Sequence, residues 1–267
     1  PPPPPPPPRR FFFSTNMPPS PILSGLVGSE MCIRDRYHRE TDLQLLTQDE
    51  LDEILDMALN LSDELEFIDR PWRQIAYDST QKDIERVTGD TRVAREFYRR
   101  RLIMARELGF HQTGVKEMVI DQYRLPPRIH KPLATKVSEM FDISMNEIDP
   151  IIQIQNEGHI LYPHIGHARN SSIFCLLQSN NERTIWYEET EPFKTYSMYR
   201  IPDYSKLKEA EETRLTVGKW TTFMHNQWHA VKRDGDPKKW RVNLNIDFAS
   251  LPYDELLEKI DKWQKST

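Results

Sequence analysis

Two stretches late in the chain, Trp220-Thr-Thr-Phe-Met-His-Asn-Gln-Trp-His-Ala-Val231 and Arg241-Val-Asn-Leu-Asn-Ile-Asp-Phe248, decide the fold class. In the second, Val242, Leu244, Ile246 and Phe248 alternate with Arg241, Asn243, Asn245 and Asp247. A period of two is the mark of a strand with one apolar and one polar face. That places Arg241 on the polar face with Asn243 and Asn245, turned either to a lumen or to solvent. The first stretch reads as two more strands, Trp220–His225 and His229–Lys232, around a polar turn. Gly218 fits the turn that leads into them.

Upstream of these lie further short β-rich runs: Ile151–Gln155, His159–His164, Ser172–Leu177, Thr184–Glu188, Tyr196–Ile201 and Arg214–Val217. Closely spaced strands without intervening helices predict an antiparallel sandwich or barrel. Residues 41 to 110 read instead as helical. Thr47-Gln-Asp-Glu50 is a capping box, and Leu51, Ile54, Leu55, Ala58 and Leu59 follow at helical spacing. A second helix is expected from about Asp90 to Leu108, capped by Gly109. A third is expected over Pro132–Phe141, with the proline in its first turn. Tyr253 to Trp263 carries Leu256, Leu257, Ile260 and Trp263 on one face, as a helix packed on the β core would. The expected fold is therefore α+β with a mainly β core. It is one domain over 37–267, with a helical front (37–142), a β core (143–250) and a C-terminal helix (251–267).

Composition narrows the function. The 267 residues carry a net charge of −5, from 36 Lys+Arg against 41 Asp+Glu. Phosphate binding needs a clustered basic surface, so no nucleic-acid partner is expected. No apolar run approaches the ~20 residues that span a bilayer, and no charged region followed by an apolar one opens the chain. A cytoplasmic protein without a membrane partner is expected. Two cysteines exclude a disulfide scaffold and a Cys-based zinc site. The sequence shows no internal repeat, and its nine glycines form no phosphate-binding loop.

Five of the eight histidines fall between 159 and 229, in two clusters inside the strand-rich region. One is His159-Ile-Leu-Tyr-Pro-His164-Ile-Gly-His167-Ala-Arg169, and the other His225-Asn-Gln-Trp-His229. Neutral imidazole is the commonest nitrogen ligand of divalent metals. Two histidines from distant strands facing one interior can hold an ion and leave positions open. Arg241 follows His229 by twelve residues, and its planar fork suits a carboxylate. Trp186 and Tyr187 read as core or rim packing, or as a pocket wall.

This order of parts resembles the Fe(II)/2-oxoglutarate-dependent oxygenases of the double-stranded β-helix (jelly-roll, cupin-like) fold. The likeness covers about residues 150 to 248 and rests on order, spacing and hydrophobic pattern. It implies that His164 and His229 bind Fe(II) and that Arg241 pairs with the distal carboxylate of 2-oxoglutarate. Most of that superfamily reads His-x-Asp where this chain reads His164-Ile-Gly166, and glycine cannot ligate iron. Pro163-His164-Ile-Gly166 and the sequence after His229 resemble the aspartyl/asparaginyl β-hydroxylase branch, in which water replaces the carboxylate. That likeness implies a dioxygenase that hydroxylates a peptide, at an Asp or Asn side chain, or a small molecule. A halogenase, with a halide at the vacant position, would lack the carboxylate too, as would a non-catalytic or other metal-binding cupin-like protein. The β-hydroxylase branch also uses an arginine on the first histidine strand, which makes Arg169 a candidate for 2-oxoglutarate binding, with Asn243 beside Arg241. In an unbroken strand, however, Arg169 and His167 would point away from His164.

The first 21 residues hold 11 of the 21 prolines. Residues 20–36 resemble translated sequencing-library adapter, an artefact of metagenomic gene calls. The native domain is accordingly expected to begin near residue 37.

Overall fold

A computed structural model describes residues 36–68, 81–107, 120–155, 161–166, 169–193, 202–234, 236 and 238–266. Its strands are β1 (His38–Thr41), β2 (Glu66–Phe67), β3 (Asp121–Arg124), β4 (Ile148–Gln155), β5 (Leu161–His164), β6 (Ser171–Gln178), β7 (Glu182–Glu189), β8 (Leu207–Thr213), β9 (Trp220–Met224), β10 (Trp228–Arg233) and β11 (Arg241–Phe248). Its α-helices are α1 (Gln48–Leu59), α2 (Gln81–Thr88), α3 (Thr91–Glu107), α4 (Pro127–Phe141) and α5 (Tyr253–Ser266). Among the described residues the strands form two antiparallel sheets, in the orders β1-β9-β6-β11-β4-β3-β2 and β5-β10-β7-β8.

The alternation in β11 divides the molecule. Val242, Leu244, Ile246 and Phe248 are fully buried and join a core with Leu51, Ile54 and Met57 of α1, Leu133 and Val137 of α4, and Leu256 and Ile260 of α5. Each such side chain stabilises by about 1.5–3 kcal/mol relative to exposure. The opposite face of the same strand looks into the space between the sheets. There Phe174 and Phe223 of the large sheet meet Trp186 of the small one. Trp186 and Tyr187 are both core residues, 0% and 1% exposed.

The capping box forms as the sequence predicts. Thr47 Oγ1 accepts from the Glu50 N–H at 3.3 Å, and Glu50 Oε2 accepts from the Thr47 N–H at 2.7 Å. Gly218 has φ +78°, the left-handed conformation its turn requires.

Several expectations are corrected. The helical front also carries β1, β2 and β3, which extend the large sheet. Its second helix is preceded by α2. Gly89, at φ +69°, ends α2, and Asp90 Oδ1 then accepts from the N–H groups of Arg92 and Val93 to start α3. The third helix begins at Pro127, so Pro132 lies inside it rather than in its first turn. Residues 214–216 are not strand. The strand there is β8, just upstream, a charged edge whose Lys208, Glu209 and Glu212 face solvent, so it shows no apolar alternation. The expected strand over Tyr196–Ile201, the cap at Gly109, and His111, His159 and His167 lie outside the described residues. No described helix is long and apolar enough to cross a membrane.

Candidate active site

Strands β5 and β10 bring the two predicted metal ligands face to face. His164 and His229 are direct partners in the antiparallel register, and their ring centroids lie 4.3 Å apart. The ladder bulges just beyond, because Val231 pairs with Leu161. Three steps along β5 thus match two along β10. A bulge re-aims side chains, and here it lets Leu161 and His164 face the same cavity.

His229 is 3% exposed, and its Nδ1 lies 2.7 Å from the Gln227 carbonyl. A carbonyl only accepts, so Nδ1 carries the proton and Nε2 keeps its lone pair. That is the tautomer a metal ligand needs. Burial first, then the neighbouring His164, pushes the His229 pKa well below the usual imidazole value. Burial does the same to His225. Both rings are therefore neutral at neutral pH. Among the described residues no three His, Cys, Asp or Glu side chains form a set able to hold an ion. The arrangement is a pair of imidazoles, His164 and His229, on facing strands.

The cavity brings together every site residue expected from the sequence: His164, His229, Arg241, Arg169 and Asn243. Gln153, Thr184, His225, Asn245, Phe174 and Phe223 also line it. Arg169 is present because the strand is broken. β5 ends at His164, and the Gly166 N–H donates to the His225 carbonyl at 2.7 Å. Residues 165 and 166 are not strand, so the unbroken-strand geometry expected for Arg169 does not hold.

Both arginines are already paired. Arg241 Nε donates to Glu182 Oε1 at 2.9 Å, and Nη1 donates to Asn243 Oδ1 at 2.8 Å. Arg169 Nη1 pairs with Asp247. Between the two pairs, Asn243 donates to Asn245 and to Gln153, and Asn245 donates to Asp247. A continuous polar row thus runs along the inner face of β11. Burial raises the Glu182 pKa, but the Arg241 charge and the Asn180 N–H outweigh it, and the net shift is downward. At Asp247 burial wins over Arg169, and the net shift is upward. Gln153 Nε2, Thr184 Oγ1 and His225 Nδ1 are buried at the cavity without a partner. Buried polar groups are normally satisfied, so these three are donors or acceptors available to a ligand.

Sequence reasoning did not single out Glu182, Gln153, Thr184 or Ser172. A signal existed for Gln153, a polar residue in the otherwise apolar run Ile151-Ile-Gln-Ile154. The pairing of Glu182 with Arg241 crosses from one sheet to the other and leaves no local trace.

No family model matches this chain, and no curated protein matches it. Solved structures with a similar course include the Escherichia coli ribosomal oxygenase YcfD (14% identity, TM-score 0.31, covering 52% of this chain and 34% of that one). Another is the non-heme alpha-ketoglutarate-dependent epimerase SnoN from nogalamycin biosynthesis (10% identity, TM-score 0.39, 80% and 79% covered). A third is the L-ribose isomerase of Cellulomonas parahominis (18% identity, TM-score 0.33, 78% and 88% covered). The chain spans about a third of the length of the ribosomal oxygenase it matches. Likenesses of this size say nothing of what this chain binds or transforms.

Proposed function

We propose that this chain is a non-haem Fe(II)/2-oxoglutarate-dependent dioxygenase on a double-stranded β-helix, hydroxylating a substrate that remains to be identified. The observation that carries the reading is the convergence of His164, His229 and Arg241 on one cavity. Two imidazoles, one with its Nε2 lone pair fixed by the Gln227 carbonyl, fit a divalent ion that takes its other ligands from water and cosubstrate. When bound, Fe(II) supplies the oxygen activation that couples decarboxylation of 2-oxoglutarate to hydroxylation.

The chain's own part is binding, orientation and exclusion of water. His164 and His229 hold the ion. Arg241, with Asn243, the partnerless Thr184 hydroxyl and the partnerless Gln153 Nε2, receives the far carboxylate of 2-oxoglutarate. Arg169 lies on the same wall. Charge supports the reading. Each arginine already has a carboxylate partner, so a divalent cation and a dianionic cosubstrate enter together without leaving net buried charge. Hydroxylation is preferred to halogenation because Pro163-His164-Ile-Gly166 and the sequence after His229 resemble the β-hydroxylase branch. The likeness to the aspartyl/asparaginyl β-hydroxylase branch makes a peptide Asp or Asn side chain the first substrate class to try.

Anaerobic titration with Fe(II) and then 2-oxoglutarate, followed by succinate release on admitting oxygen, tests the function. Saturable binding of both and iron-dependent succinate are expected. A chain that takes iron but neither binds 2-oxoglutarate nor releases succinate is a metal-binding cupin-like protein of another kind.

A further inference from the structure

We propose that His225, held by Ser172, contributes the protein contact at the ion that Gly166 withholds, by a hydrogen bond from its Nδ1 edge to an oxygen ligand of the ion. This rests on the reading of His164 and His229 as its two protein ligands.

Two independent observations meet at this residue. The first is steric. Gly166 stands where the resembled oxygenases carry a carboxylate, and a side chain there would run into His225. The virtual Gly166 Cβ lies 2.9 Å from the His225 Cβ. The two residues are also clamped through the backbone. The Gly166 N–H donates to the His225 carbonyl at 2.7 Å, and the His225 N–H donates to the Asn170 carbonyl at 2.9 Å. A side chain at 166 would thus press on the root of the His225 side chain as well as on the Arg169 carbonyl oxygen, 2.8 Å away.

The second is polar. His225 is 5% exposed and lines the cavity, with its ring centroid 5.4 Å from that of His229. Its Nε2 lies 2.8 Å from Ser172 Oγ, on the fully buried start of β6. Ser172 is not among the residues lining the cavity, so the bonded edge of the ring faces away from it. The other nitrogen, Nδ1, is buried without a partner. A ring fixed at one nitrogen and unsatisfied at the other is arranged to meet a ligand, since a buried polar atom left unmade is costly. His225 is therefore a positioning residue, acting on the ion through its ligand, and Ser172 orients it.

Side-chain geometry supplies the test. An asparagine amide overlays the Nδ1 position of histidine, and a glutamine amide overlays Nε2. Cobalt(II) is titrated into the parent and into His225→Ala, His225→Asn, His225→Gln and Ser172→Ala, with the visible absorption of the bound ion as readout and thermal melting as the check on folding. Loss of a group that orients metal ligands typically lowers affinity about 10–100-fold. His225→Ala should lose at least tenfold and shift the absorption, His225→Asn should stay within a few fold of the parent, and His225→Gln should behave like His225→Ala. Rescue by Gln but not by Asn would mean that the ring serves only Ser172, and would overturn the inference. So would parental affinity and absorption in every 225 variant while His164→Ala loses the ion. A parent that takes up no cobalt overturns the proposed function instead, and this inference with it.

Discussion

The Arg241 guanidinium and the Glu182 carboxylate, 6% and 3% exposed, join β11 of the large sheet to β7 of the small sheet through a 2.9 Å Nε–Oε1 contact. Glu182 Oε2 is held in turn by the Asn180 N–H at 2.6 Å and the Ser179 hydroxyl at 3.1 Å. The pair therefore does two things. It ties the inner faces of the sheets together, and it fixes the direction of the guanidinium at the cavity. Under the proposed function, Nη2 is the group that meets the ligand carboxylate, beside the bond from Nη1 to Asn243.

Removing one member of a buried pair leaves the other charge uncompensated, which costs about 3–5 kcal/mol. Glu182→Gln should therefore destabilise the protein by about that much at pH 7 in urea unfolding. The pH dependence has a definite sign. The folded-state pKa of Glu182 lies below its ordinary value, so the folded protein binds fewer protons than the unfolded one. The stabilisation is fully present above the ordinary glutamate range and is lost as pH falls through the folded value. The gap between parent and variant should shrink on acidification through that window. A gap constant down to pH 3 would show that Glu182 does not act through its charge.

What the sequence made legible was local. The two-residue period of β11 separated Val242, Leu244, Ile246 and Phe248 from Arg241, Asn243, Asn245 and Asp247; the first set became the helix-facing core, and Arg241, Asn243 and Asn245 of the second line the cavity. The cap at Thr47 was legible for the same reason, since its partners lie three residues away. Contacts set by topology were not. Nothing near Glu182 names Arg241, which is 59 residues distant. Arg169 was placed away from His164 on the assumption of an unbroken strand, and Gly166, just past the end of β5, bonds to His225, 59 residues further along the chain. Strand β8 escaped because an exposed edge has no apolar face to alternate.

The helical layer and the cavity should be energetically separable. Thr47→Ala removes the bond from the Glu50 N–H to Thr47 Oγ1, leaves that from the residue-47 backbone N–H to Glu50, and should cost about 1 kcal/mol, within the ~0.5–2 kcal/mol range of such caps. Binding of Fe(II) should be unchanged. A cap variant that also lost iron affinity would couple α1 to the site.

Gly166 should resist every side chain. Alanine there brings a Cβ to 2.8 Å from backbone oxygen of Arg169, which cannot yield as a flexible side chain would. Overpacking of this kind costs about 1–3 kcal/mol. Gly166→Ala should melt lower than the parent, and Gly166→Asp should do so without gaining iron affinity. Once a substrate is known, the product should be hydroxylated in both the presence and the absence of chloride, as mass spectrometry would read. A stable Gly166→Asp variant with tighter iron binding would show that the carboxylate position is open after all.

Arg241 and Arg169 stand at the two ends of the β11 polar row, and the proposed function gives each a part in binding the cosubstrate. If Arg241 receives the distal carboxylate of 2-oxoglutarate, its removal leaves that charge unpaired in a buried site. Such truncations cost about 2–5 kcal/mol, tens to thousands of fold in affinity. Arg241→Ala also strands Glu182, so the decisive variant is Arg241→Ala/Glu182→Gln, in which no buried carboxylate is left charged and alone. That variant should still bind Fe(II) and should lose 2-oxoglutarate. Arg241→Lys should recover only part of the affinity, because an ammonium cannot reach Glu182, Asn243 and a carboxylate in the fork geometry. Arg128→Ala, on α4 with Glu53 and Glu64 as partners, is the control and should leave both affinities unchanged. Arg169→Ala frees Asp247, whose raised pKa lets it take a proton instead, so its loss should be the smaller of the two. Calorimetric titration of 2-oxoglutarate into each iron-loaded variant gives the order. Parental affinity in the Arg241→Ala/Glu182→Gln variant would move the clamp to Arg169; parental affinity after loss of both arginines would remove 2-oxoglutarate from the cavity.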